Sequence, residues 1–319
     1  MAILQRILIT GATGFVGQHL LDQISRDKYR IRILTRDRHK KLWCSTKDVE
    51  MAEGDLADVV AVSNALKDIN VVINIAAELR DSSKFELTNV KGVENLIAGC
   101  IQHKVDRLIH LSSVGVIGMP FSKERIVLNE GVICRPQEGY ESTKYKAEEL
   151  LIAAGESGTI GVCIIRPTNV FGEHHPYNSL LNLFKYINSP FPVFYNKDAV
   201  VNYLYVKDLV MFITRLLEAP EIKGIYNLGS PCRNEEFFIQ MGSSLERPVK
   251  PLLLPSFLFS MLETINYFYI KRVRLKFRAL SNKVEYSDQK ARTIFNYPYG
   301  LAKGIDNVVK YYRNRGFLK

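Results

Sequence analysis

Three side chains suited to moving a proton fall in a suggestive order along this chain. The apolar run Leu108–Leu111 ends in Ser112-Ser113, and Tyr140-Glu141-Ser142-Thr143-Lys144 opens a helix-like stretch further on. Residues i and i+4 share a helix face, so Tyr140 and Lys144 are expected to project together. A free phenol, with a pKa of ~10, is a poor base at neutral pH, and bringing it near neutrality takes about 4 kcal/mol of differential interaction. A neighbouring ammonium, with a second positive charge close to the ring, supplies that interaction. Tyr140 could then accept a proton from a hydroxyl, or return one to a carbonyl, while Ser113 hydrogen-bonds the same oxygen and fixes it. A tyrosine four residues before a lysine is common by chance and alone reads as a surface pair. Its position after a serine-ended strand reverses that reading.

The second positive charge has an evident source. The turn Thr10-Gly11-Ala12-Thr13-Gly14-Phe15-Val16-Gly17 lies between the strand-like run 3–10 and an amphipathic stretch carrying Val16, Leu20, Leu21 and Ile24. Glycine allows a tight turn with positive φ and lets the backbone approach a pyrophosphate, which the free N–H groups of the helix start then receive. Gly11, Thr13, Gly14, Phe15, Val16 and Gly17 are therefore expected to bind a nicotinamide dinucleotide, whose oxidised ring would sit beside Tyr140. A reader of the free 2′-hydroxyl usually has an acid at the end of the second strand, ~20 residues on. Here that strand runs Ile31-Arg32-Ile33-Leu34 into Thr35-Arg36-Asp37. Arg36 can pair with a 2′-phosphate, which favours NADP over NAD. The competing reading gives the acidic role to Asp37 and stacks Arg36 on adenine. Asp55 and Leu56, after the short apolar run at Val49 and Met51, are expected at the adenine, and Ala76 and Ala77 would leave room for ribose and phosphate.

These residues need a frame, and the pattern provides one. Short β-branched runs at Ile3–Ile9, Arg30–Leu34, Val71–Ile75, Arg107–Leu111 and Gly161–Ile165 alternate with helix-like stretches at Val16–Ser25, Val59–Ile69, Glu86–His103 and Ser142–Ala154. Such alternation predicts an α/β fold, a doubly wound parallel sheet covered on both faces. After Arg166-Pro167, prolines and aromatics thicken. A strand–helix unit around Val200–Leu217 and a strand at Gly224–Leu228 are expected to return to the sheet. The reading is a dinucleotide-binding domain of residues 1–170 and 200–229, with a smaller, mostly helical substrate lobe of 171–199 and 230–319.

Composition narrows the partners. With 319 residues, 47% hydrophobic and 24% charged, the chain reads as globular, and no internal repeat is visible. No signal-peptide pattern opens the sequence, and the five scattered cysteines (Cys44, Cys100, Cys134, Cys163, Cys232) form no metal or disulfide framework. A cytoplasmic location and no metal are expected. Residues 271–319 carry thirteen Lys/Arg against three Asp/Glu, an excess equal to the whole chain's +10. That basic end could meet an anionic small-molecule substrate or a membrane surface; nucleic acid is not expected. The apolar stretch Pro251–Ile270 contains Glu263, Asn266 and two prolines, which suits a cap helix better than a membrane contact. His174-His175 could suggest a metal, but adjacent histidines do not easily share one ion.

The ordered set strongly resembles the extended short-chain dehydrogenase/reductases, which include nucleotide-sugar epimerases, dehydratases and ketoreductases. The likeness rests on TGATGFVG at 10–17, GDLAD at 54–58, NIAA at 74–77, TNVKGVENL at 88–96, LSSVGVIG at 111–118, YESTK at 140–144, RPTNVFG at 166–172 and LYVKDL at 204–209. It implies that Ser113, rather than Ser112, is the catalytic serine, with Tyr140 as acid/base and Lys144 gripping the ribose. It also implies that Pro167 borders the nicotinamide, that Asn169 contacts substrate and that Asn89 braces the active-site strand. Nucleotide-sugar epimerases of this kind usually carry an arginine where Val201 stands here, so a diphosphate would be held differently, with Arg272, Arg274 and Arg278 as replacements. The Thr35-Arg36 ending looks like the NADP-using reductase branches. The expected activity is hydride transfer between nicotinamide C4 and a secondary alcohol or ketone of a sugar-like substrate, with epimerase and reductase outcomes both open. A non-catalytic dinucleotide sensor would be expected to lack Tyr140 or Lys144, and both are present. A homodimer is left open, because Glu86–His103 has no decisive second apolar face.

Overall fold

Seven strands form one sheet: β1 (Gln5–Thr10), β2 (Tyr29–Thr35), β3 (Val49–Glu53), β4 (Val71–Asn74), β5 (Arg107–Leu111), β7 (Gly161–Pro167) and β11 (Gly224–Leu228). This computed structural model describes residues 4–122, 124–177, 179–187, 193–194, 198–247, 252–253 and 282–318. The spatial order is β3-β2-β1-β4-β5-β7-β11, and every neighbouring pair is parallel. The chain therefore reverses its direction of winding between β1 and β4, and a crevice opens there at the strands' C-terminal ends.

Both faces of the sheet are apolar because successive residues of each strand point to opposite sides. Ile7, Ile9, Ile31, Ile73 and Ile165 pack with α1 (Phe15–Gln23) and α6 (Val206–Glu218), through Leu20, Leu21, Leu209 and Phe212. Leu8, Val72, Leu108 and Ile164 pack on the other face with α2 (Val59–Ala65), α3 (Gly92–Gln102) and α4 (Tyr140–Glu156), through Val62, Val93, Leu96, Ala147 and Leu151. Each fully buried Leu or Ile contributes about 1.5–3 kcal/mol, so this double-sided core anchors the loops that ring the crevice.

The stretch expected as one helix over Glu86–His103 divides. A wide π-type turn, Glu86–Lys91, precedes α3. Its extra residue turns Asn89 inward, where Oδ1 accepts from Glu78 N (2.8 Å) and Nδ2 donates to Glu78 O (3.2 Å) and Thr143 Oγ1 (3.1 Å). Such turns are frequent beside functional sites.

The expected return of a strand near Val200 is corrected. β10 (Val200–Tyr205) lies in a separate three-stranded sheet, between β8 (Asn169–Phe171) and β12 (Ser230–Arg233). The Asn202 amide links this sheet to a neighbouring pair: Nδ2 donates to Val284 O, and Oδ1 accepts from Tyr286 N on β14 (Val284–Tyr286), which itself pairs with β6 (Ile126–Leu128). Only the following helix, α6, comes back to the main sheet, beside α1. A further short pair joins β9 (Val193–Phe194) and β13 (Leu252–Leu253).

Among the described residues the remaining α-helices are α5 (Ser179–Ile187), α7 (Asn234–Ser244), α8 (Gln289–Arg292) and α9 (Gly300–Asn314). Phe184, Phe237, Met241, Ile305 and Val308 from α5, α7 and α9 belong to the same apolar cluster as the α1 face of the sheet. The core thus runs across the lobe boundary drawn from the sequence. Asp208 of α6 ties the two by accepting from Tyr299 N (3.0 Å) and Gly300 N (2.9 Å) at the start of α9. The apolar stretch 251–270 and Arg272, Arg274 and Arg278 lie, apart from residues 252–253, outside the described residues. Among the described residues no helix is long and apolar enough to cross a membrane.

Candidate active site

A cleft of about 390 Å³ occupies the crevice above β1 and β4. One end is the glycine turn, where Gly11, Thr13, Gly14, Phe15 and Val16 line the wall. Gly11 has φ +71°, and a Cβ there would sit 2.5 Å from Ala76 N, so no side chain fits. Gly17 does not line the cleft; a Cβ on it would collide with the Gly11 carbonyl, so it serves the close packing of helix on strand. No side chain caps α1, whose first residue follows Gly14, so the amides of its first turn face the cleft with the positive end of the helix dipole.

Arg36, Asp55 and Leu56 form the adenosine side, with Lys40 beside them. Arg36 Nη1 lies 3.8 Å from Asp55 Oδ2, and its side chain is 68% exposed. Asp37 points elsewhere: its Oδ1 accepts from His39 N (2.9 Å) in a local turn. Asp37 is not among the residues lining the cleft. Ala76 and Ala77 line the far wall, and Glu78 closes it, its Oε1 accepting from the amides of Leu79, Arg80 and Asp81. Those backbone donors hold the Glu78 carboxyl below its ordinary range.

A strap crosses this half of the cleft. His175 and Tyr177 line it from the loop after β8, and Arg80 Nε donates to Tyr177 OH (3.1 Å) from the opposite rim. The strap's root is an aromatic stack: His174 lies on Trp43, ring centroids 4.3 Å apart and 7° from parallel, and His19 Nε2 donates to Glu173 O (2.9 Å). His174 has φ +60°, a conformation that persists in a non-glycine residue only when its surroundings enforce it. Burial lowers the pKa of His19, His174 and His175. Among the described residues no group of three or more His, Cys, Asp or Glu could hold a metal ion.

The other end of the cleft carries Tyr140 and Ser112. Tyr140 starts α4, its ring edge-on to Phe85, and burial, then the Glu141 charge, push its phenol up to about 12. The expected lowering requires an oxidised nicotinamide together with the Lys144 ammonium, and the chain's own groups leave the phenol raised. Lys144 lies one turn on, fully buried beneath the cleft floor. Its Nζ donates to Leu111 O (2.7 Å) and meets His110 Nε2 (2.9 Å). Burial, partly offset by Glu148, brings its pKa down to about 8. Glu148 is clamped by Arg166 of β7 in a buried two-point pair, Nε–Oε1 3.0 Å and Nη2–Oε2 2.5 Å. His110 continues to Asn74 (Nδ1···Nδ2, 2.9 Å), whose Oδ1 accepts from Thr10 Oγ1 (2.6 Å).

Ser113 caps a short turn, its Oγ accepting from Gly115 N (3.1 Å), while Ser112 Oγ is buried with no hydrogen-bond partner among the described residues. Pro167 is buried at the end of β7 and Asn169 is exposed on β8; neither lines this cleft. The sequence reading passed over His110, Asn74, Lys40, Glu78 and Tyr177 as parts of the site. A signal existed for the first two. Thr10, Asn74 and His110 are polar interruptions at matching positions near the ends of three otherwise apolar strands.

A model of the NAD dependent epimerase/dehydratase family matches residues 7–229. Among curated proteins, the chain is 26% identical over 259 residues to the dTDP-D-glucose 4,6-dehydratase of Dictyostelium discoideum, covering 71% of this chain and 58% of that one. It is 26% identical over 248 residues to a trifunctional UDP-glucose 4,6-dehydratase/UDP-4-keto-6-deoxy-D-glucose 3,5-epimerase/UDP-4-keto-L-rhamnose-reductase of Arabidopsis thaliana, covering 71% of this chain and 37% of that one. The chain therefore spans less than two thirds of the length of these relatives. Two solved structures share the fold across nearly their full length. The dTDP-glucose 4,6-dehydratase of Bacillus anthracis in complex with NAD superposes with a TM-score of 0.73 at 19% identity, covering 97% of each chain. The UDP-glucose 4-epimerase of Thermus thermophilus in complex with NAD gives 0.71 at 21% identity, covering 97% of this chain and 99% of that one.

Proposed function

The chain belongs to the NAD dependent epimerase/dehydratase family, and from that premise we propose that it moves hydride between a nicotinamide C4 and a secondary alcohol or ketone of a sugar-like substrate. The observation that carries this reading is the placement of Tyr140 at the cleft wall, with Lys144 one turn behind it under the floor and the glycine turn at the other end. Gly11, Thr13, Gly14, Phe15 and Val16 would hold the pyrophosphate, and Ala76 and Ala77 would border the ribose. Bound oxidised nicotinamide would supply positive charge and hydride acceptance.

With its phenol pushed up to about 12, Tyr140 is a proton donor at rest. It suits the direction that protonates a carbonyl oxygen as hydride arrives. Acting as a base in the other direction requires the charge of the bound cofactor and of Lys144. Ser113, released from Gly115 N, would orient the same oxygen; Pro167 and Asn169 would border nicotinamide and substrate. Where hydride returns to the substrate the outcome is epimerisation or dehydration; where it stays, reduction.

NADP is the proposed dinucleotide. Arg36 and Lys40 stand together at the adenosine side, and the Asp37 carboxylate is occupied in its own turn. A charge-assisted pair of this kind contributes about 1.5–3 kcal/mol, so Arg36→Ala should weaken NADPH binding by roughly 10–100-fold and leave NADH nearly unchanged. A parent protein that prefers NADH would overturn the assignment. The substrate's anionic group, if it has one, is not held at Val201, which pairs with Cys232; the cations nearby, Arg233 and Arg125, already carry Glu236 and Glu285. Tyr140→Phe should lower turnover by about 10²–10⁴-fold with cofactor affinity retained. Unchanged turnover on an identified substrate would remove Tyr140 from the chemistry.

A further inference from the structure

A line of polar side chains crosses the sheet one strand at a time. Thr10, Asn74 and His110 are register partners on β1, β4 and β5. Leu8, Val72 and Leu108, two residues earlier on each strand, face α2, α3 and α4, so the line lies on that same covered face. It ends on Lys144, which α4 sends down to meet it. None of the four residues is more than 1% exposed, and every link is between 2.6 and 2.9 Å. Buried polar groups are tolerated only when fully paired, and an apolar row would pack here without that demand.

We propose that His110, aimed by Asn74 and Thr10, is a positioning residue for Lys144, holding its amine under the cleft and setting the pH at which that amine carries charge. The inference rests on the reading of Lys144 as a cofactor-binding residue given above.

Burial keeps the His110 ring neutral, so it has one N–H and one lone pair. When Lys144 is an ammonium, His110 Nε2 must accept from it, and the Nδ1 proton must go to an acceptor. Asn74 then presents Oδ1 to the ring and Nδ2 to Thr10. When Lys144 is a neutral amine, every link reverses: Thr10 donates to Asn74 Oδ1, Asn74 Nδ2 donates to Nδ1, and Nε2–H donates to Nζ. Thr10 Oγ1 is 2.6 Å from Asn74 Oδ1 and Asn74 Nδ2 is 2.9 Å from His110 Nδ1, distances that either polarity keeps when the amide turns over. An amide serves both arrangements by turning over, whereas a carboxylate can only accept. Lys144 can thereby change charge without any residue leaving its place. Among the described residues, the other groups that face it are Glu148, clamped by Arg166 of β7, and Tyr140 on the preceding turn; the nearby Asn89–Thr143 pair is uncharged.

The test is the affinity for NADH, which has no 2′-phosphate to titrate, measured by nicotinamide fluorescence from neutral to alkaline pH. The parent should lose affinity through one break near pH 8, absent from Lys144→Met. His110→Leu removes from the ammonium an acceptor whose bond is stronger than the one His110 gives the neutral amine, so the break should fall by about one pH unit. His110→Gln, whose amide can still accept from Nζ, should restore most of it. Asn74→Asp, which can only accept from the ring, should move the break upward. A folded His110→Leu with its break at the parent's pH overturns the proposal. Should that variant not fold, an unmoved break in Asn74→Asp overturns it instead. A parent with no break that Lys144→Met removes would sink the reading of Lys144 itself, a separate and visible outcome.

Discussion

The two ends of the cleft are built on opposite plans. At the Tyr140 end, the polar groups hang on strand register and helix packing: Lys144, His110 and Asn74 form one buried hydrogen-bonded line, and Glu148 and Arg166 a buried pair beside it. At the adenosine end, Arg36 and Lys40 stand on a loop, largely exposed, with a loose 3.8 Å ion pair to Asp55. The difference separates what the fold must hold from what it can exchange. Substitutions at the buried end act on stability and chemistry together, while those at the open end act on ligand choice alone.

The comparison breaks first at Glu148. Removing one partner of a buried ion pair leaves the other charge uncompensated, so Glu148→Ala should destabilise the protein by about 3–5 kcal/mol in urea unfolding. A loss below about 1 kcal/mol would mean that Arg166 finds another partner and the buried end is less committed than it looks. Lys144 sharpens the contrast through pH. Its folded-state pKa lies near 8, below the ordinary 10.5, so between those values the unfolded chain holds the proton more often. The group therefore opposes folding in full below pH 8, and its cost fades as pH rises through 10.5. Relative to Lys144→Met, the parent should gain about 3 kcal/mol of stability across that window. A flat difference would show that Lys144 is not desolvated. The smallest effect is expected at the open end, where Arg36→Ala should change stability by less than about 0.5 kcal/mol in thermal unfolding, despite its loss of NADPH affinity.

The same division explains what could be read from the sequence. The glycine turn, the alternation of strands and helices and the Tyr140–Lys144 spacing are local patterns, and each appears where expected. Asn89 and the split of Glu86–His103 depend on Thr143, 54 residues away, reached across the fold. β10 joins β8 and β12, strands well before and after it in the chain, so its sheet cannot be read from β10 alone. His110 escaped notice for a related reason. Its role exists only through the register that aligns it with Asn74 and Thr10, and register is a property of three strands at once.

The strap over the adenosine half has an optical consequence. Trp43 is the single tryptophan of the chain, and it lies flat against His174 at the strap's root. Its emission therefore reports on one place, with no other indole to dilute the signal. Any ligand that shifts the strap must also shift the ring beneath it, so the protein carries its own gauge of entry into the cleft, readable without a label.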